Sequence, residues 1–203
     1  MKVLIGCEFS GTVRQAFRKL GHDAYSCDLL PSDDDSEHHY QCDINEVLTK
    51  DHAWDLIILH PPCTALAVSG NRWYGENMEK HQQRVEAVRW TFDLWNRAMA
   101  VCDRVALENP VGVLPRLANM YPSQYVQPYQ FGHPESKKTG LWLHNLPPLE
   151  ETDNVKAEYD SLPVNEAQRL FYLPRSDQRW KIRSKTFSGI AEAMAEQWGG
   201  HSA

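Results

Sequence analysis

Hydrophobic and polar residues alternate along the chain in blocks that predict strands and helices in turn. Lys2 to Cys7 (KVLIGC) is a short apolar run that stops at Glu8-Phe9-Ser10-Gly11, and Val13, Phe17 and Leu20 follow at near-helical spacing. The pattern predicts a strand, a tight turn and a helix that Gly21 ends, after which Asp23 to Cys27 forms a second strand closing on Asp28. The polar stretch Asp33 to His39 reads as a solvated acidic loop, leading through Cys42-Asp43-Ile44 to a small helix around Glu46 to Lys50. Trp54 to Leu59 (WDLIIL) is nearly all apolar, as a strand buried on both faces of a parallel sheet would be, and it stops at His60-Pro61-Pro62-Cys63.

Between Glu79 and Cys102, the residues Val85, Val88, Phe92, Trp95, Met99 and Cys102 step by 3 and 4, which predicts a long helix with all six on its buried face. The next strand, Val105 to Leu107, ends at Glu108-Asn109-Pro110. Two more are expected at Gln124 to Gln130 and Thr139 to His144, either side of a polar turn at Gly132 to Lys138. Residues 145–185 show little periodicity and several prolines, so they read as an irregular loop or lid, and the apolar helix Phe187 to Trp198 follows. Strands alternating with helices predict an α/β protein with a doubly wound, mostly parallel, Rossmann-like sheet.

Length and composition narrow the function classes. The chain has 203 residues, which suits one domain spanning 1–203, and its 42% apolar content is enough to build a core. No apolar run reaches the roughly 20 residues that span a bilayer, and the first strand begins where a leader would lie, so a soluble cytoplasmic protein is expected. Lys and Arg number 21 against 27 Asp and Glu, a net charge of −6 that argues against a general nucleic-acid coat. The sum hides a local excess: six Lys or Arg and one Asp lie between Arg169 and Lys185. Five scattered cysteines without CxxC spacing are read as reduced thiols, and Cys7, Cys27 and Cys102 as buried apolar ones. Cys27, His38, His39 and Cys42 follow no common zinc spacing, so no metal is expected.

In open parallel sheets, ligands bind beyond the carboxyl ends of the strands, so the residues where each apolar run stops carry the chemistry. Gly11 would let a backbone approach a ligand, and Asp28 after the second strand suits a ribose with two hydroxyl donors. A nucleoside-containing cofactor fits such a pocket. Two prolines before Cys63 hold that thiol on a rigid loop at the mouth of the sheet, which favours a reactive nucleophile over a buried apolar sulfur.

The motifs CEFSG, HPPCT and ENPVG, with Asp28 and Asp43 between them and RSKTFSGIAEAMAEQW at the close, resemble those of cytosine-C5 DNA methyltransferases, in a compact form found in phage genomes. The resemblance implies S-adenosylmethionine as cofactor, held by Glu8, Phe9, Ser10, Gly11, Asp28, Leu29, Asp43, Pro61 and Ser188. It implies Cys63 as the nucleophile that adds to carbon 6 of cytosine, Glu108 as the group that hydrogen-bonds the base, and Asn109 as support for the loop. Substrate contacts would come from His60, Pro62, Lys137, Lys138, Arg179 and Lys181, with Arg179 and Lys181 gripping DNA phosphate apart from the cofactor.

Two departures stand out. His60 occupies a position where the family usually has glycine, and could tune the thiol, contact substrate or cap the strand. The separate target-recognition domain is missing, since only about 40 residues separate Thr139 from Lys181, too few to pack alone. A recognition partner could then supply specificity, or the same cysteine chemistry could act on a free pyrimidine nucleotide, with methyl or another group added. A non-catalytic nucleic-acid-binding or regulatory protein of the same fold is the competing class. Amino methylation of adenine or cytosine is a weaker alternative, because Cys63 stands where such enzymes place a stacking aromatic.

Overall fold

A computed structural model describes residues 1–200 of the chain. Seven strands, β1 (Lys2–Gly6), β2 (Asp23–Asp28), β3 (His39–Gln41), β4 (Leu56–Leu59), β5 (Val105–Pro110), β6 (Gln124–Val126) and β7 (Thr139–His144), form one sheet in the order β3-β2-β1-β4-β5-β7-β6. The first five run parallel, and β7 runs antiparallel to both of its neighbours. This is the doubly wound, mostly parallel α/β sheet expected from the alternation of elements. The helices are α1 (Thr12–Lys19), α2 (Ile44–Val47), α3 (Asn71–Tyr74), α4 (His81–Val101), α5 (Leu114–Ala118), α6 (Lys156–Ser161), α7 (Val164–Ala167), α8 (Arg169–Tyr172), α9 (Arg179–Ser184) and α10 (Ser188–Gly199).

The strand pleat sorts alternate residues into two cores. Val3 and Ile5 of β1 and Leu56 and Ile58 of β4 face α1 and α10, where Phe17, Ile190, Met194 and Trp198 fill one layer. Leu4, Ile57 and Leu59 face the other way, onto Val88, Leu94 and Ala98 of α4 with Trp54 and Trp142 beside them. Every residue of β4 is fully buried, which is why that strand reads as an unbroken apolar run.

Four expectations are corrected. The buried face of α4 carries Arg84, Val88, Thr91, Leu94 and Ala98, whereas Val85 and Phe92 are 43% and 42% exposed. Arg84 turns inward because its guanidinium donates to the carbonyls of Ala65 and Ala67 and to Asn71 Oδ1, a need that apolar periodicity does not register. The strand expected over Gln124 to Gln130 ends at Val126, since Pro128 has no N–H for a ladder and starts a 3-10 turn. Residues 145–185 are not structureless: α6 to α9 lie within them, each too short to show a helical period. The acidic loop is not merely solvated either. Asp34 is paired with the buried guanidinium of Arg14, and Asp33 with Lys185 at 2.7 Å.

Among the described residues, no helix is long and apolar enough to cross a membrane, and no group of three or more His, Cys, Asp or Glu is placed to hold a metal ion. Cys27 and Cys42 lie Sγ to Sγ at 3.9 Å, while His39 Nδ1 is bonded to Ser26 instead.

Candidate active site

The winding of the sheet reverses between β1 and β4. Strands β2 and β3 lie on one side of that line and β5, β7 and β6 on the other, so the crevice of a doubly wound sheet opens at the carboxyl ends of β1 and β4. Gly6 pairs with Leu59, and Leu59 with Leu107. One step further, Cys7, His60 and Glu108 therefore stand side by side at the edge of the sheet.

On the β4 side, His60 N donates to Gly6 O at 2.8 Å, and the chain then turns through Pro61 and Pro62 to Cys63. The Cys63 carbonyl accepts from the N–H groups of Leu66 and Ala67, and the following loop is stitched to the one after β5 by Val68 N to Val111 O and Val113 N to Leu66 O. Gly112 belongs to this seam: a Cβ there would meet Leu66 O at 2.6 Å, so only glycine allows the two loops to touch. Arg84 secures the same loop from below. Nothing in the residue pattern marks that role, because an arginine on a long helix reads as solvated surface.

Glu108 and Asn109 lie within β5 rather than beyond it, since β7 pairs with the strand as far as Pro110. Asn109 is buried and its Nδ2 donates to Pro61 O at 2.9 Å, which ties β5 to the proline loop. Its Oδ1 is buried without a partner. Glu108 Oε2 is 3.2 Å from His60 Nδ1. Burial alone would raise the Glu108 carboxyl, but the bond from His60, the charge of Lys137 and the Thr139 hydroxyl outweigh it and hold the group below its usual range. The Cys63 thiol is pushed up, first by burial and then by the Glu108 charge, with Lys137 and Arg183 pulling the other way. Lys137 and Arg183 are thus the cations whose charge acts on the thiol, and Arg183 is one that sequence reasoning did not single out.

On the β1 side, the buried carboxylate of Glu8 accepts from Val13 N at 2.7 Å, Arg14 N at 3.3 Å and Ser10 Oγ at 3.2 Å, filling the N-terminus of α1 with the chain's own negative charge. Gly11 caps that helix at φ 69°. Asp28 Oδ1 accepts from Leu30 N at 3.0 Å, and burial raises its carboxyl. Leu29 beside it is 72% exposed. Asp43 serves as N-cap of α2 in a capping box with Glu46, and together with Asp28 it lies close enough to Cys7 to raise that thiol, already pushed up by burial, to about 12.

The basic segment reaches over this same edge. Trp180 packs on Phe9 with ring centroids 5.7 Å apart, Lys181 Nζ lies 5.5 Å from the Phe9 ring, and Phe9 is left only 6% exposed. Lys181 is also 3.9 Å from Asp33, so the structure places it against the loop assigned to the cofactor. Arg179 donates to Phe171 O. Lys137 donates to Lys185 O, whereas Lys138 points away onto the Tyr125 ring. Ser188 Oγ lies 3.2 Å from His133 Nε2, which also accepts the Gly189 N–H.

A cavity of about 510 Å³ lies elsewhere, among Phe92, Trp95, Met120, Tyr121 and Trp142. Its wall carries no carboxylate, imidazole or thiol.

No protein-family model matches the chain, and no curated protein matches it. Solved structures do. They include a prophage-encoded E. coli protein described as a DNA modification methyltransferase, at 14% identity and TM-score 0.40 over 70% of this chain and 46% of that one. The S. pombe Dnmt2 methyltransferase matches at 13% and 0.45, covering 87% of this chain and 60% of the other. A mutant of the Spodoptera frugiperda DNMT2 matches at 16% and 0.42, covering 75% and 53%. The chain thus spans about half the length of the structures it matches.

Proposed function

We propose that this chain is an S-adenosylmethionine-dependent methyltransferase that acts on carbon 5 of cytosine in DNA through an adduct to Cys63. The observation that carries the reading is the convergence, at the switch point of the sheet, of a thiol on a Pro-Pro loop with an ionised, buried Glu108 and the cation of Lys137.

The β1 edge fits that cofactor better than a nucleotide. Dinucleotides place their phosphates on the first helix N-terminus, and here the Glu8 carboxylate already occupies it, which repels phosphate and favours a ligand with positive charge. Asp28 at the end of β2 suits ribose hydroxyls, and exposed Leu29 offers an apolar surface to adenine. When bound, S-adenosylmethionine supplies an electrophilic methyl group on a sulfonium cation.

Cytosine carbon 5 is too poor a nucleophile to take that methyl unaided. Addition of Cys63 Sγ to carbon 6 would make the ring an enamine able to take the methyl at carbon 5, and loss of the carbon 5 proton would then expel the Cys63 sulfur and restore the ring double bond. Glu108 accepts from the exocyclic amine, while Lys137 supplies positive charge against that developing on the ring. Asn109 holds the proline loop so that the thiol keeps its place.

A second reading keeps this chemistry and changes the substrate to a free pyrimidine nucleotide. It is favoured by one observation: Lys181 and Lys185, expected to grip phosphate, are drawn to Asp33. Labelled S-adenosylmethionine offered with duplex DNA, single strands and a nucleotide panel separates the two. Label in 5-methylcytosine of DNA supports the first and label in mononucleotide product the second. No methylated pyrimidine, with the cofactor bound, defeats both. Cys63→Ala would also lose the covalent adduct that 5-fluorocytosine DNA forms with the wild type, whereas a purely binding protein would form none in either case.

A further inference from the structure

His60 stands next to Glu108 because the β4–β5 register carries it there, one step past the Leu59–Leu107 pair. Its side chain is nine-tenths buried, its Nδ1 lies 3.2 Å from Glu108 Oε2, and its Nε2 is buried with no hydrogen-bond partner. An ionised carboxylate can only accept, so Nδ1 carries a proton toward Glu108, and in the neutral tautomer Nε2 would be a bare lone pair. Three residues along the same loop is Cys63, whose sulfur keeps its proton because burial and Glu108 disfavour the thiolate. To attack, that sulfur must hand the proton to something.

The titratable and charged groups around it are few. Lys137 and Arg183 are cations without a lone pair to offer, and Glu108 is engaged by His60, Lys137 and Thr139. Cys7, across on β1, is itself a thiol that burial keeps protonated. His60 Nε2 is a base that the site offers, and Glu108, through the Oε2 that faces Nδ1, is placed to hold the imidazolium that would result. Nucleophile, imidazole and orienting carboxylate thus follow the logic of a catalytic triad.

We propose that His60 is the general base of this site: as Cys63 Sγ bonds to carbon 6 of a pyrimidine, the S–H bond breaks and its proton passes to Nε2. The electron pair of the carbon 5–carbon 6 double bond moves into the ring as the enamine, and nothing is oxidised or reduced. Nε2 makes no hydrogen bond here, so the transfer requires the thiol or a water to come within reach of it. The pyrimidine rests on the function proposed above. The proton transfer is a property of the chain and can be read without any substrate.

The test follows alkylation of Cys63 by iodoacetamide across pH, read at its own peptide by mass spectrometry. Wild type, His60→Gln and His60→Gly are compared, each checked for folding by its thermal melt. Wild-type reactivity should rise with pH through an inflection that His60 supplies. His60→Gln should lose the inflection and react about tenfold more slowly at neutral pH, and added imidazole should restore rate to His60→Gly. If His60→Gln does not fold, the glycine variant and its rescue decide alone. A wild-type profile without the inflection, or variant profiles that overlay it, overturns the proposal. Adduct formation with 5-fluorocytosine DNA is measured alongside. A histidine-dependent alkylation profile with no adduct removes the pyrimidine reading and leaves the base in place, whereas adducts formed equally by all three proteins overturn the base.

Discussion

Asp34→Asn tests how the β1 edge is held. Arg14 on α1 is 1% exposed, and its guanidinium reaches Asp34 and Ser26 Oγ, with Ser32 Oγ at 3.4 Å. Burial alone would raise the Asp34 carboxyl, but hydrogen bonds from Arg14, Ser32 and Gln15 overcome that and hold it far below the ordinary range. The substitution leaves a buried cation with neutral acceptors only. Removing one partner of a fully buried pair costs about 3–5 kcal/mol, and because Asp34 keeps 29% of its side chain in water the loss here should be nearer 2–3 kcal/mol. For a chain of this length that is a fall in Tm of about 4–12 °C. The sign with pH follows from the depressed carboxyl. Its contribution is complete above the unfolded value of about 3.9 and is lost as pH falls through the lower folded value. Urea denaturation of wild type and variant from neutral pH down to about pH 3 should therefore show a gap that narrows on acidification. A variant within about 0.5 kcal/mol of wild type at neutral pH, or a gap that does not narrow, would refute the reasoning.

Arg84→Ala removes three hydrogen bonds to the loop after Cys63; at about 1 kcal/mol each it should destabilise by 2–4 kcal/mol and make residues 64–71 the first point of limited proteolysis. Arg84→Lys should recover little of this, because an ammonium lacks the fork that reaches Ala65 O, Ala67 O and Asn71 together. Asn109→Ala orphans the Pro61 carbonyl and should cost about 1–3 kcal/mol in a denaturation curve. Asn109→Asp should be worse at neutral pH, since it sets a carboxylate against that carbonyl, and should recover on acidification as the carboxyl gains a proton.

The sheet was legible because its strands are short apolar runs that stop at Gly, Pro or acidic residues; the run from Trp54 to Leu59 is an example, buried throughout β4. The thiol loop and its partner Asn109 were legible for the same reason, lying where such runs stop. What escaped depends on pairs far apart in the chain. Arg14 and Asp34 are 20 residues apart, Lys185 and Asp33 much further, and nothing local marks either pair. The face of α4 was misjudged because apolar periodicity assigns burial by side-chain type, whereas Arg84 is inside for its hydrogen bonds. The basic segment had its internal partner hidden in the same way. Its charge suggests an external polyanion, and the fold supplies an anion from its own acidic loop.

The position of α10 bears on when this chain can become folded at all. Ile190, Met194 and Trp198 cover the face of the sheet to which the first strand and first helix contribute, and Arg104 reaches both Met1 Sδ and the Trp198 carbonyl. During synthesis, β1 and α1 are made first yet stay uncovered until Ser188–Gly199 has been added, so early assembly on the ribosome can give only a half-clad sheet. Stalled or prematurely ended chains would present that bare apolar layer to chaperones and proteases.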